Sequence, residues 1–260
     1  MYLEQIILTN FKNYRSQKIG LSPKLNCLTG LNGMGKTNVL DAVYYLCMCK
    51  SHFATSDAHL VLQGEDFLRL EGDFLLAEAQ KTKIVAKVQP RKVKIFEHDT
   101  VAYERLGEHI GKIPVVMIAP DDTDLVTESS ENRRRLMDNT LAQLDQTYLN
   151  NLLIYNKVLE QRNALLKQFA QNHTFNVNLL EVYDQQLLVP ATYIFQQRQA
   201  FSSWLVPVFQ AYYKVISNDR EQPNCVYESK LQHVDFQTLL LENREKDRIL
   251  HRTTSGINRQ

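Results

Sequence analysis

One stretch restricts this chain more than any other: GLNGMGKT, Gly30–Thr37. Gly30, Gly35, Lys36 and Thr37 fit the spacing G-x-x-x-x-G-K-[ST] of a phosphate-binding loop. Glycines let the backbone curl until successive N–H groups point inward as an anion nest. The helix that follows adds its unpaired N-terminal N–H groups and the positive end of its dipole. Such a loop sits between a strand and a helix, and the flanks agree. KLNCLTG (Lys24–Gly30) reads as a strand, and TNVLDAVYYLCMC (Thr37–Cys49) carries a helical apolar stripe. Gly30, Leu31, Asn32, Gly33, Met34, Gly35, Lys36 and Thr37 are therefore the candidate cradle for ATP. Lys36 is placed to reach the β- and γ-phosphates and the Thr37 hydroxyl to ligate Mg²⁺. The plain alternative is a glycine-rich turn ahead of an ordinary helix.

The chain has 260 residues, 44% hydrophobic and 23% charged, enough for a sizeable core in one large domain or two smaller ones. Its net charge of +1 means that a nucleic-acid surface has to be a local patch and not a global field. Cys27, Cys47, Cys49 and Cys225 contain no C-x-x-C pair, so neither a zinc site nor a disulfide framework is expected, and a reducing cytoplasm fits. His52 and His59 lack the carboxylates or cysteines that would complete a metal site. MYLEQIILTNFKNYR has no basic n-region or small-residue cleavage site, and no apolar run is long enough to span a membrane.

The N-terminal half reads as strands. YLEQIILTNF and RSQKIGLS flank the turn KNY as a hairpin. AHLVLQG, FLRLEGDFLLAE, KTKIVAKVQP and RKVKIFEHD then follow as an antiparallel meander, and KIPVVMIAPDD (Lys112–Asp122) as a buried strand. From about Ser129 the period lengthens. Met137, Leu141, Leu144, Tyr148, Leu152, Tyr155 and Leu159 make a helical stripe. A second long helical region carries Pro190 and Pro207, where kinks or breaks are expected. QPNCVYESK returns to strand and DFQTLLLENREKDRIL to helix. The fold class is α/β, an antiparallel meander beside the nucleotide site with a helical arm projecting from the α/β body. By periodicity alone, a plain core bundle accounts for the helices equally well.

ATP hydrolysis needs a second acid on the metal side, usually an Asp closing an apolar strand. VVMIAPDD is the candidate, but Pro120 interrupts the run before Asp121. Asp121 and Asp122 read better as a turn and helix N-cap, with Glu128 further along the helix. One side of a nucleotide site is thus legible and the other is not.

LTNFKNYRS, GLNGMGKTNVLDAVYYL and KSHFATSD together resemble the RecF family of DNA replication and repair proteins. The resemblance continues through VVMIAPDDTDLV, NRRRLMDNTL, YNKVLEQRNALLK and REKDRILHRTTSG, in family order from Leu8 to Gly256. It implies a P-loop head of the ABC type, similar to the ATPase heads of structural-maintenance-of-chromosomes proteins and ABC transporters, in three segments: residues 1–128 as the N-terminal part of the ATPase core with an antiparallel β-subdomain, 129–218 as an inserted helical arm, and 219–260 as an incomplete return to the core. It further implies an ATP-dependent homodimer that binds single- and double-stranded DNA near gaps and junctions. Recombination mediator proteins would be its partners and RecA loading and the SOS response its setting. In the family a signature motif and Walker B follow the RTTSG region, whereas here HRTTSGINRQ stops. The expectation is therefore a truncated product or fragment that binds ATP without turnover.

In related heads the KNY turn approaches the nucleotide, so the resemblance implies contacts from Lys12 and Asn13; a solvated hairpin turn is the alternative. NRRR (Asn132–Arg135) suits DNA phosphate, a domain interface or an exposed helical face. RKVK (Arg91–Lys94) suits the solvent side of a strand, with DNA contact as its alternative. Trp204, Tyr193, Tyr212 and Tyr213 read as packing residues. The rival function classes are a P-loop kinase or other phosphotransferase, and a non-catalytic nucleotide-binding fragment.

Overall fold

The N-terminal hairpin forms: β1 (Tyr2–Phe11) and β2 (Tyr14–Gly20) pair antiparallel, with Phe11 opposite Tyr14 across the Lys12–Asn13 turn. This is a computed structural model that describes residues 1–76, 80–127 and 130–257. Glu128 lies outside the described residues. The chain divides into two units, Met1–Ala119 and Pro120–Gln260.

In the first unit β3 (Leu68–Leu75), β4 (Lys81–Gln89), β5 (Val93–His98) and β6 (Val101–Ala102) complete a six-stranded antiparallel sheet in the order β2-β1-β3-β4-β5-β6. Strict alternation chooses its faces. Leu68, Leu70 and Phe74 of β3 and Ile84, Ala86 and Val88 of β4 are buried. On the other face of β3, Glu71 pairs with Arg69 and Lys83. Helix α1 (Lys36–Met48) buries Val39, Ala42, Tyr45 and Leu46. Its close approach explains Gly72 on β3, where a Cβ would lie 2.9 Å from Leu46 Cδ1.

Three strands expected of this part of the chain do not form. AHLVLQG becomes a 3₁₀ turn, Asp57–Leu60, capped by Ser56, with a lone bridge from Val61 to Phe11. The Ser56 hydroxyl offers Ala58 N–H a local partner that a strand would not use. Lys24–Gly30 and residues 113–119 adopt no regular secondary structure and join no ladder among the described residues. Several of their apolar side chains face outward, with Leu25 79%, Val116 87% and Ile118 84% exposed, although Ile113 and Ala119 are buried. Apolar alternation reports a capacity for pairing; a strand also needs a neighbour.

In the second unit, Asp121 and Asp122 lie in a 3₁₀ turn (Pro120–Thr123), followed by a single helical turn, α2 (Asp124–Thr127). The long stripe breaks in two, α3 (Ser130–Leu144) and α4 (Gln146–Gln171), because Asp145 caps α4 by accepting from Thr147 N–H. Leu144 consequently leaves the stripe and is exposed. Helix α5 (Val177–Ser217) runs through both Pro190 and Pro207 without ending. QPNCVYESK forms no strand, and α6 (Phe236–Glu242) and α7 (Arg244–Leu250) divide at Asn243.

Two fully buried arginines organise this unit. Arg162 on α4 donates to Asp184 of α5 at 2.6 Å, and to Asp247 of α7 and Thr253 at 2.7 and 2.8 Å. Arg198 on α5 grips Asp138 of α3 at 2.8–3.0 Å and donates to the Ile257 carbonyl at 2.8 Å. Burial pushes the Tyr148 phenol up, and its hydroxyl donates to the same Asp138. Removing charges from water is tolerable here because each guanidinium meets a carboxylate. NRRR lies on α3: Arg133 donates to the Leu125 carbonyl, Arg134 to Ser130, and Arg135 pairs with Glu131.

Candidate nucleotide-binding site

The loop Gly30–Gly35 leads from the irregular segment before it into the first turn of α1. Gly30, Gly33 and Gly35 have φ of 145°, 82° and 95°, a region that side-chain-bearing residues avoid. Nothing lies within 4 Å of where a Cβ would sit at Gly30 or Gly33, so the conformation, not crowding, calls for glycine there. Gly35 is different. A Cβ at this position would meet Asn13 at 2.6 Å and the Tyr14 hydroxyl at 2.9 Å.

The loop's carbonyls are largely engaged. Lys36 Nζ donates to the Gly30 and Leu31 carbonyls at 2.8 Å each. Asn13 Nδ2 and the Tyr14 hydroxyl donate to the Met34 carbonyl. The Gly35 carbonyl accepts from Asn38 and Val39 N–H. With those oxygens drawn away, the loop offers N–H groups, the donor set that suits an anion. Lys36 adds a positive charge that pairs with no carboxylate among the described residues. Thr37 is exposed on the first turn of α1. These residues fit a polyphosphate, and a hydroxyl beside phosphate oxygens fits Mg²⁺, which takes oxygen ligands and keeps several waters.

The turn residues do not share one environment. Lys12, with φ 51°, sends its ammonium to Asp41 of α1 at 2.6 Å and donates its N–H to the Leu60 carbonyl. Asp41 is fully buried and also accepts from the Ser51 hydroxyl and the His52 N–H. Lys12 also sits 5.6 Å from the centre of the Phe53 ring, a cation–π distance. Its charge is thus turned into α1. Asn13 faces the loop and accepts from Asn38 Nδ2 at 2.7 Å.

Asp41, Tyr14 and Asn38 escaped the sequence reading. Asp41 did leave a trace, an acid in the middle of the apolar run VLDAVYYL, where an unpartnered carboxylate could not be buried. Away from the loop, Lys94 of the RKVK cluster pairs with Asp57 at 2.8 Å over the Tyr45 ring, so its charge serves the fold. No group of three or more His, Cys, Asp or Glu side chains suited to a metal occurs among the described residues. No helix among them is long and apolar enough to cross a membrane.

Comparison with known proteins supplies a wider frame. The AAA ATPase domain family matches residues 1–202. The DNA replication and repair protein RecF of Flavobacterium johnsoniae is 41% identical over 259 residues, covering 100% of this chain and 72% of that protein. RecF of Cytophaga hutchinsonii is 39% identical, again over 100% of this chain and 68% of its own length. Among solved structures, the recombination mediator protein RecF with ATPrS superposes at a TM-score of 0.90 and 26% identity, over 99% of this chain and 71% of that one. RecF with ATP superposes at 0.89 and 25% identity, over 98% and 70%.

Proposed function

The chain belongs to the RecF family of DNA replication and repair proteins, and on that premise we propose that Gly30–Thr37 binds Mg-ATP and that ATP governs the protein's engagement with DNA. As a family member it is an ATP-dependent DNA repair protein built on a P-loop head. The carrying observation is the loop: its carbonyls are largely drawn aside, and Lys36 pairs with no carboxylate among the described residues. The backbone N–H groups hold and orient the phosphates, Lys36 neutralises the β- and γ-oxygens, and Thr37 holds Mg²⁺. The metal, when bound, supplies charge neutralisation at the phosphate oxygens.

The finer reading follows the family. Single- and double-stranded DNA at gaps and junctions is the target, a homodimer closed through ATP is the binding species, and recombination mediators and RecA loading are its partners and outcome. The setting is the cytoplasm and the SOS response. Residues 1–128 and 219–260 serve as the ATPase core, and 129–218 as the arm. The chain binds ATP with little turnover of its own. What supports this is the company the loop keeps: Asn13, Tyr14 and Asn38 surround it, and Asp41, the nearby acid on α1, is buried against Lys12. None of them can take a proton from an attacking water.

Titration calorimetry with Mg-ATP tests the reading. Lys36→Ala should weaken binding by about 100-fold or more, since a charge-assisted contact contributes about 1.5–3 kcal/mol and Lys36 would make two. Its circular dichroism should stay as in the wild type. Thr37→Ala should lose affinity roughly 10-fold with Mg²⁺ and little in EDTA, because its hydroxyl acts through the metal. An unchanged affinity in a folded Lys36→Ala protein removes the assignment.

A further inference from the structure

The Met34–Gly35 peptide is gripped from outside the loop. Asn13 Nδ2 donates to the Met34 carbonyl at 3.3 Å and the Tyr14 hydroxyl to the same oxygen at 3.4 Å. Asn38 Nδ2, on the first turn of α1, donates to Asn13 Oδ1 at 2.7 Å. The Met34 carbonyl can only accept, so the Asn13 amide turns its NH₂ to the loop and its oxygen to Asn38. Two of these side chains, from the β1–β2 hairpin, hold one peptide, and the third, from α1, holds Asn13.

The geometry of a trans peptide gives this grip a consequence. Its C=O and N–H point in opposite directions. Drawing the Met34 oxygen toward the hairpin therefore turns the Gly35 N–H to the opposite side, away from Asn13 and Tyr14. Gly35 would otherwise be the weak link of the loop. At φ 95°, without a Cβ, it can rotate cheaply, and a rotated peptide would present a carbonyl oxygen where an anion must sit. Asn13 and Tyr14 also fill the space beside the Gly35 Cα, where a Cβ would be 2.6 and 2.9 Å from them, so the same contacts that aim the peptide hold it in place.

We propose that Asn13, backed by Asn38 and joined by Tyr14, is a positioning residue that fixes the Met34–Gly35 peptide so that the Gly35 N–H faces the phosphate chain of the nucleotide. This rests on the phosphate-loop reading above. It differs from a direct contact between Asn13 and nucleotide in one checkable way: Asn38, whose side chain bonds Asn13, shares the effect.

The experiment combines calorimetry with the ¹H–¹⁵N spectrum of the Gly35 amide. Asn13→Ala and Asn38→Ala should each weaken Mg-ATP binding roughly 10-fold, the double variant no more than either alone, and Tyr14→Phe roughly 3-fold. Melting temperatures should stay at the wild-type value. At saturating Mg-ATP the wild-type Gly35 amide proton should move downfield; in Asn13→Ala that movement should be lost even at saturation, which loss of stability alone would not produce. Wild-type affinity and shift in Asn13→Ala, beside lost binding in Lys36→Ala, overturn the proposal and leave the loop reading standing. Normal binding in Lys36→Ala removes both. Multiplying losses in the Asn13/Asn38 double variant also overturn it, because the two would then act separately. Should Asn13→Ala not fold, Asn38→Ala and Tyr14→Phe carry the same two readouts.

Discussion

Lys36 in the phosphate loop and Arg162 in the helical unit are both cations at the centre of a polar network, and they are wired in opposite ways. Lys36 rests on two neutral carbonyls in an exposed loop. Arg162 is fully buried and meets two carboxylates, Asp184 and Asp247. A carbonyl satisfies the hydrogen bonds of an ammonium without cancelling its charge; a pair of carboxylates more than cancels that of a guanidinium. The first arrangement leaves a cation available to a polyanion, whereas the second closes a helix hairpin against α7. Lys12 is the instructive intermediate. It adjoins Asn13, which contacts the loop, yet its charge is committed to Asp41. The acceptor that satisfies a cation, more than its distance from a motif, indicates whether it serves a ligand or the fold.

The contrast can be broken most forcefully at Arg162. Arg162→Ala leaves Asp184 with only the longer Arg244 pair at 3.7 Å and buried Asp247 with only Thr254, and removing one partner of a buried pair costs about 3–5 kcal/mol. Urea denaturation should show that loss, while the Mg-ATP affinity of the folded fraction stays at the wild-type value. A stability within 1 kcal/mol of wild type would mean that water reaches the cluster. Lys36→Ala should give the mirror image, a large loss of affinity with stability unchanged. Lys12→Met sharpens the middle case. It should lower stability by about 2 kcal/mol, because Asp41 keeps its bonds from Ser51 and His52 but loses its counter-charge. Adding Asp41→Asn should restore part of it. If Lys12→Met instead lowered Mg-ATP affinity as much as Lys36→Ala does, its charge would belong to the nucleotide.

The two regions were unequally legible in the sequence. The loop was readable because its function lies in the backbone, and glycines at fixed offsets record where φ must be positive. The hairpin and β3–β5 were readable because one buried face enforces alternation. The Arg162 and Arg198 clusters were not. Their partners lie far away along the chain, Asp247 and Asp138 among them, and a single charged residue in a helical stripe looks like any solvated position. Asp145 shows the same limit at short range: an apolar stripe continued through it while its side chain ended one helix and began another. Lys24–Gly30 and residues 113–119 failed for a different reason, since nothing in a strand-like segment states whether a neighbour lies beside it.

The smallest expected effect is a pH dependence confined to the first unit. His109 is fully buried, with Nε2 2.6 Å from the Leu46 carbonyl near the end of α1, so that nitrogen carries the proton and Nδ1 faces the Tyr103 hydroxyl at 3.3 Å. Burial is the largest influence and holds its pKa below the ordinary 6.5; the Leu46 carbonyl opposes the shift, while His98 and Lys112 add to it. A histidine depressed in the folded state binds its proton more readily when unfolded, so stability is complete above 6.5 and declines as pH falls from there through the folded value. Other groups titrate lower. Lys83 and Arg69 overcome burial to hold Glu71 below its ordinary 4.5, and Tyr193 and the Thr147 N–H do the same for Asp145 below 3.8, so their losses come in more acid solution. The contribution of His109 in the window between roughly pH 6.5 and 5 is isolated by comparison with a variant that lacks its imidazole. His109→Gln keeps an N–H for the Leu46 carbonyl and cannot titrate. Its melting temperature should fall less steeply than that of the wild type across this window, with Mg-ATP affinity at pH 7.5 unaltered, because α1 is touched at the end away from Lys36. Parallel melting curves for the two proteins would show that His109 stays neutral throughout the window or that the unit opens before it is protonated.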